Sequence, residues 1–189
     1  MRKIILFMHL SLDGFTAGPK QEMDWITVDD EIFNDVLDLQ HTADTALFGG
    51  VLYREMAGYW PSVAVNPSSS KGELEHAHWL NHSPKIVFSK TLQKADWNNS
   101  KIVRANIPAE IQKLKAESGR DILLFGGAEI ARALMGLGLI DEYRLNVNPV
   151  VLGGGKPLFK DAGEMTHLKL LEARTFNAGV VGLRYQSVM

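Results

Sequence analysis

The sequence predicts one mixed α/β domain spanning residues 1–189, and three observations carry that expectation. The apolar spacing switches repeatedly between a strand-like period of two and a helix-like period. Two short apolar runs lead at once into Gly-Gly pairs, Gly49-Gly50 and Gly126-Gly127, each followed by a helical pattern. Finally, 46% of the 189 residues are hydrophobic, enough for a core without staples.

Residues 2 to 11 read as a buried strand ending at Asp13-Gly14. Ile32, Phe33, Val36, Leu37 and Leu39 form a helical stripe over 29–41, with Thr27 and Asp30 as its capping signal. Thr45 to Phe48 predict a second strand, and Val51 to Ala57 a short helix. Pro61 to Gly72, with four serines, is the most loop-like stretch. A helix follows over 73–81, with strands at Lys85 to Ser89 and Ile102 to Arg104. Pro108 opens and Gly119 stops the next helix. Asp121 to Phe125 is a buried strand, Ala128 to Met135 a helix, and Leu145, Val147 and Val151 alternate in a strand ended by three glycines. Residues 167–176 and 180–188 form a hairpin around Asn177-Ala178-Gly179, with Val181, Leu183 and Tyr185 on one side.

Composition excludes several functions. Twenty Lys and Arg against 22 Asp and Glu give a net charge of -2, so no basic field exists for nucleic acid. The absence of Cys removes disulfide scaffolds, thiol nucleophiles and cysteine metal sites, and fits a reducing cytoplasm. Arg2-Lys3 and the run Ile4 to Leu12 imitate a secretory signal, but His9, Ser11 and Asp13 interrupt it and no small-residue cleavage site follows. The run is also too short to span a bilayer, so no membrane partner is expected.

Several places have chemical potential. A strand, Gly126-Gly127 and a helix start allow close backbone approach and aim free amides at an anion, although a Gly-Gly after a strand, taken alone, is more often a tight packing turn than a site. Glu75, His78 and His82 share a helical face with metal-compatible spacing; an exposed polar face is the expected reading, and no metal is assigned. Ser68 and Lys71 match Ser-x-x-Lys without any companion motif. Asp13 and Gly14 end the first strand either as a ligand-facing carboxylate or as a turn. Asp30 is either a proton-transferring acid or part of a cap, and Trp25 either a ligand wall or core.

Taken together, the motifs resemble a known family. His9-Leu-Ser-Leu-Asp-Gly14 with Ala17, Leu47 to Tyr53, Val87 to Leu92, Phe125 to Glu129, Gly138 to Glu142 and Pro149 to Phe159 occur in the order found in the dihydrofolate-reductase-like fold. They resemble specifically the reductase domain at the carboxy terminus of the bifunctional riboflavin-biosynthesis deaminase/reductase. The resemblance implies a mostly parallel, twisted central sheet flanked by helices, with an antiparallel C-terminal hairpin. It also implies a homodimer and NADPH, with NADH as an alternative, bound across the sheet's carboxy-terminal edge. By position, Gly126, Gly127, Ala128 and Glu129 hold the pyrophosphate, Ser89, Lys90 and Thr91 face the adenosine phosphate, and Gly49 and Tyr53 lie under the dinucleotide. Ser11, Asp13 and Gly14 lie near nicotinamide and substrate, beneath a loop carrying Ala17 and Gly18, with Trp25 beside the substrate and Asp13 or Asp30 as the catalytic acid.

The resemblance also has gaps. Gly50 stands where the family usually has Arg, and Leu52 where it has Thr, which leaves Lys90 with Ser89, or Arg54, to recognise a 2′-phosphate. The zinc deaminase half cannot be present without cysteine. The expected activity is hydride transfer from NAD(P)H to a small heterocyclic substrate. Its rivals are a dihydrofolate or pterin reductase, suggested by the Trp25–Asp30 spacing, and a noncatalytic nucleotide-binding dimer module.

Overall fold

The computed structural model describes residues 1–160 and 165–188. Its centre is an eight-stranded sheet. The strands are β1 (Ile4–Ser11), β3 (Ala43–Gly49), β4 (Lys85–Phe88), β5 (Ser100–Val103), β6 (Asp121–Leu124), β7 (Glu142–Asn148), β9 (His167–Thr175) and β10 (Val181–Val188), in the order β5-β4-β3-β6-β1-β7-β10-β9. The first six in that order pair in parallel, whereas β10 is antiparallel to β7 and to β9. The mostly parallel sheet with an antiparallel C-terminal hairpin is therefore present.

A parallel sheet must be covered on both faces, which is why its strands read as continuous apolar runs. Ile4, Leu6 and Met8 of β1 pack with Leu47, Leu124 and Tyr143 under α4 (Ile107–Ala116) and α5 (Ala128–Gly136). Ile5 and Phe7 face the opposite way onto Val36 and Leu39 of α1 (Asp30–His41). On that second face α2 (Gly50–Val63) and α3 (Lys71–His82) enclose Phe48, Tyr53, Leu80, Val87 and Trp97.

Several boundaries differ from the sequence expectation for identifiable reasons. The α1 cap is Asp29, whose carboxylate accepts from Ile32 N–H (2.8 Å), not the Thr27 and Asp30 pair. Thr27 instead donates its N–H to Asn148 Oδ1 (2.9 Å) and ties the helix entry to β7. α2 does not stop at Ala57: Trp60 packs against His76 with the rings tilted and 4.2 Å between centroids, and this packing carries the helix through Pro61 in its last turn. The serine run ends in a capping box, Ser70 Oγ accepting from Glu73 N–H and the Glu73 carboxylate from Ser70 N–H, so α3 starts two residues earlier than expected. Strand β7 ends at Asn148, and Val151 is exposed.

A second, two-stranded sheet was not expected. β2 (Phe15–Ala17) pairs with β8 (Lys156–Pro157), closing the segment after β1 onto the glycine loop after β7. Gly155 makes this possible: its φ is +130°, and a Cβ there would stand 2.1 Å from the Ala17 carbonyl oxygen. The neighbouring Gly154 has only Pro19 Cγ nearby, at 3.8 Å.

These contacts give two expected outcomes. Gly155→Ala should cost about 2–3 kcal/mol of unfolding free energy through forced separation of β2 from β8, while Gly154→Ala changes little. Urea midpoints of the two variants check this, and equal effects would remove the close approach as the cause. The second concerns His76, buried beneath α1 and α2 and donating to Gln40 Oε1 (3.0 Å). Burial lowers its pKa to about 4, so between pH 6.5 and 4 the unfolded chain takes a proton that the folded chain refuses. Stability is thus complete above pH 6.5 and falls as the pH drops, by on the order of 3 kcal/mol for this group. His76→Phe should flatten the acid limb of midpoint against pH; an unchanged slope would assign the loss to other groups.

Candidate active site

The strand order sets where a ligand can enter. The chain leaves β3 for α2 on one face and leaves β6 for α5 on the other, so a crevice opens between the carboxy-terminal ends of these adjacent strands. Its floor is joined by Gly49 N–H to the Gly126 carbonyl (3.1 Å) and Phe125 N–H to that of Leu47 (3.2 Å). Both helices begin there without a side-chain cap, on Gly49 and Gly127. In contrast, α1 and α3 are capped by Asp29 and Ser70. Free first-turn amides and the positive ends of two helices therefore meet at one edge, an arrangement suited to a pyrophosphate. Glycine is required at 126, where φ is +101° and a Cβ would stand 2.4 Å from Met8 Sδ. At Gly127 the requirement is conformational, with φ at +51°.

Beside this crevice lies a cleft of about 230 Å³ between the end of β1, α2 and the β2–β8 pair. Phe7, Met8, Met23, Ile26, Leu52, Met56 and Phe125 make it largely apolar. His9, Thr16, Gln21, Glu55 and Lys156 supply its polar atoms. Lys156 Nζ donates to Gln21 Oε1 (3.0 Å). The His9 ring stands edge-on to Phe7 at 5.3 Å, and burial lowers its pKa to about 4, so it is neutral at pH 7. Among the described residues its enclosed Nδ1 has no hydrogen-bond partner.

Of the residues picked out by sequence, Ala17, Gly127 and Ala128 line this cleft, and Gly49 and Gly126 form the adjoining floor. Gly18 N–H is turned to the Glu22 carbonyl (2.9 Å), and Glu129 is exposed in the first turn of α5. The carboxylates land elsewhere. Asp13 lies outside the cleft lining, exposed, accepting from Ser11 Oγ (2.7 Å), Leu152 N–H (3.1 Å) and Gly153 N–H (2.8 Å). The Ser11 hydroxyl first, then those backbone amides, hold its carboxyl below the usual range despite some desolvation, which makes it an anchor for the glycine loop and a poor acid. Ser11 is buried beneath it, also accepting from Phe15 N–H, and Gly14 turns the chain at φ +84°. Asp30 is exposed in the first turn of α1 and Trp25 donates to the Glu22 carbonyl (3.1 Å); neither lines the cleft.

After β4, Ser89 Oγ accepts from Leu92 N–H (3.0 Å) and shapes a turn that leaves Lys90 and Thr91 exposed. Gly50 packs against this turn: a Cβ would meet Ser89 Oγ at 2.6 Å, which explains why no arginine stands at 50. Arg104 bonds the Lys90 and Gln93 carbonyls and so brings a second cation to the turn. Arg54 instead faces the groove between α2 and α3. Tyr53 is buried, its hydroxyl donating to Ser100 Oγ and accepting from Trp97 N–H, both 3.0 Å, so it braces the core beneath α2.

The histidine helix has local uses. Glu75 pairs with His41 (2.7 Å), and His82 Nδ1 bonds the His78 carbonyl (2.7 Å). Among the described residues no group of three or more His, Asp or Glu is placed to hold a metal, and no helix is long and apolar enough to cross a membrane. Sequence reading missed Glu55, Gln21, Lys156, Arg104 and the role of His9. Only His9 had a visible signal, as a polar residue inside a buried strand.

Comparison with known proteins agrees with this architecture. The chain is 40% identical over 187 residues to the uncharacterised protein YyaP of Bacillus subtilis (strain 168), covering 97% of this chain and 94% of that one. Among solved structures it is similar to a Shewanella sp. PV-4 protein described as a riboflavin biosynthesis protein (TM-score 0.77, 19% identity, 99% of each chain). It is also similar to the Thermotoga maritima diaminohydroxyphosphoribosylaminopyrimidine deaminase/5-amino-6-(5-phosphoribosylamino)uracil reductase (TM-score 0.68, 15% identity), covering 99% of this chain and 57% of that one. The sequence pattern of the RibD C-terminal domain matches residues 2–182, and the chain belongs to that family.

Proposed function

We propose that this protein is an NADPH-dependent reductase that passes hydride to an electrophilic C=N or C=O carbon of a small heterocyclic substrate. The observation that carries this reading is the meeting of two uncapped helix starts, α2 and α5, over the Gly49–Gly126 contact and directly beside an apolar cleft. Family membership and the reductase-type neighbours support it. The residues fit a dinucleotide: glycines give access to the backbone, and the free amides favour an anion.

In this reading Gly126, Gly127, Ala128 and the first turn containing Glu129 hold the pyrophosphate, with Gly49 beneath. Ser89, Lys90, Thr91 and Arg104 face the 2′-phosphate. Ala17 and Gly18, held by the β2–β8 pair, cover the cleft. Bound NADPH supplies the hydride; the protein orients the substrate and excludes water around it. Asp13 and Asp30 give up the acid role to Glu55, the carboxylate in the cleft lining among the described residues. Asp13, with Ser11 and Gly14, positions the loop that frames the site.

Calorimetric titration tests the reading. Wild type should bind NADPH, Gly127→Val should abolish binding because a β-branched residue is strained at φ +51°, and unchanged affinity would sink the placement. Preference for NADPH over NADH should be modest, because two exposed cations replace a bidentate arginine. Lys90→Ala and Arg104→Ala together should lose it, by about tenfold for a charge-assisted contact; a preference that survives both substitutions places the phosphate elsewhere. A homodimer belongs to the same proposal, supported by the edge strand β9 with Leu170 and Leu171 exposed. Light scattering showing a monomer mass at all concentrations would remove it.

A further inference from the structure

Resting on the reductase reading, the geometry points to a substrate class: we propose that the cleft takes an uncharged, flat, unsaturated ring compound without a phosphate, oriented by a hydrogen bond from the His9 imidazole to its carbonyl or ring-nitrogen acceptor.

The first support is the charge inventory. A phosphate is held by several convergent donors, commonly an arginine fork. Among the described residues the cleft lining has no arginine; its charged groups are Glu55 and Lys156, and the lysine already donates to Gln21 Oε1. A dianion placed there would meet one engaged cation and one carboxylate. The second is shape and polarity. Met8, Met23 and Met56 with Phe7 and Phe125 provide soft, polarisable walls in a space of about 230 Å³, which suits a one- or two-ring planar compound.

The third is His9 itself. It lies on β1 in the cleft lining, and no group among the described residues bonds either ring nitrogen. A buried bare lone pair is tolerated better than a buried unbonded N–H, so the neutral ring keeps its proton on Nε2 and encloses Nδ1 bare. Nε2–H is then an unused donor in an apolar cleft, where a complementary acceptor gains most. The reaction balances simply: hydride adds to the carbon of a C=N bond, the bonding pair moves to nitrogen, nitrogen takes the proton of the Glu55 carboxyl, which solvent restores after product release, and NADPH leaves as NADP⁺.

The experiment is fluorescence titration of the full-length, cofactor-free protein with quinoxalinone, an uncharged bicyclic lactam with a reducible C=N bond, followed by competition with ribose 5-phosphate. Wild type should bind the probe and ribose 5-phosphate should not displace it. His9→Phe should weaken binding by about tenfold, the scale of one hydrogen bond, while His9→Gln, which keeps an N–H donor, should recover most of the loss. Met56→Trp, which fills the cleft from α2 and leaves the His9 side chain in place, should also weaken binding and serves if His9→Phe does not fold. No wild-type binding, displacement by ribose 5-phosphate, full affinity in a folded His9→Phe, or full affinity in Met56→Trp overturns the proposal. Parallel NADPH titration separates the two readings: probe binding that depends on His9 without any NADPH binding removes the reductase assignment alone, and the converse removes this one alone.

Discussion

The site depends on the insertion of β6 between β3 and β1. β6 is a late strand, yet it pairs in parallel with two early ones, Ile122 with Ile4 on one side and Leu124 with Leu47 on the other. This pairing brings Gly49 and Gly126 into hydrogen-bonding contact although 77 positions separate them. Because both helices that follow start on bare glycine, two sets of free amides converge on one edge. A cap at either helix start would have satisfied those amides internally and left no reason for an anion to enter.

The opposite edge of the sheet is built on the reverse principle. Arg2 is buried and donates to the Arg120 carbonyl and Thr45 Oγ1 while pairing with Asp44. Asp141 takes the Ile4 N–H and the Lys115 ammonium, and buried Glu142 takes Arg144 and Arg184. Buried charges persist only when fully partnered, so this edge specifies strand register. Polar groups are spent closing one end, and glycines keep the other accessible.

How legible this was in the sequence followed the range of the interactions involved. The strands and helices showed through because parallel strands buried on both faces and helices with an apolar stripe leave periodic signals. Most of what failed needed a distant partner, the exception being the early start of α3, whose Ser70–Glu73 capping box is local. Asp29 rather than Thr27 and Asp30 caps α1 because Thr27 is taken by Asn148, and α2 runs past Ala57 because Trp60 finds His76. The small β2–β8 sheet joins the segments that follow the neighbouring strands β1 and β7, with Thr16 and Lys156 140 positions apart in sequence, and leaves no local pattern. For the site, glycine pairs after strands were readable because backbone chemistry is local. The cleft's side chains were not, since Glu55, Gln21 and Lys156 come from three separate elements.

The acidic residue in the strand-one motif shows why a motif's position does not fix its role. Asp13 sits where a carboxylate would be expected to meet substrate, but its donors are the Ser11 hydroxyl and two amides of the loop that begins at Leu152. That loop also carries Gly155 against Ala17 and Lys156 into the cleft. A carboxylate bonded in this way holds the loop and resists taking the proton an acid would need, because protonation would weaken the charge-assisted bonds from the hydroxyl and the amides. Four residues earlier, on β1, His9 has the opposite balance, with a place in the cleft and no bonded partner among the described residues. The motif therefore divides its work: its acid fixes the frame, and its histidine, on the face that alternation turns toward Phe7 and α1, is the group left free for a ligand.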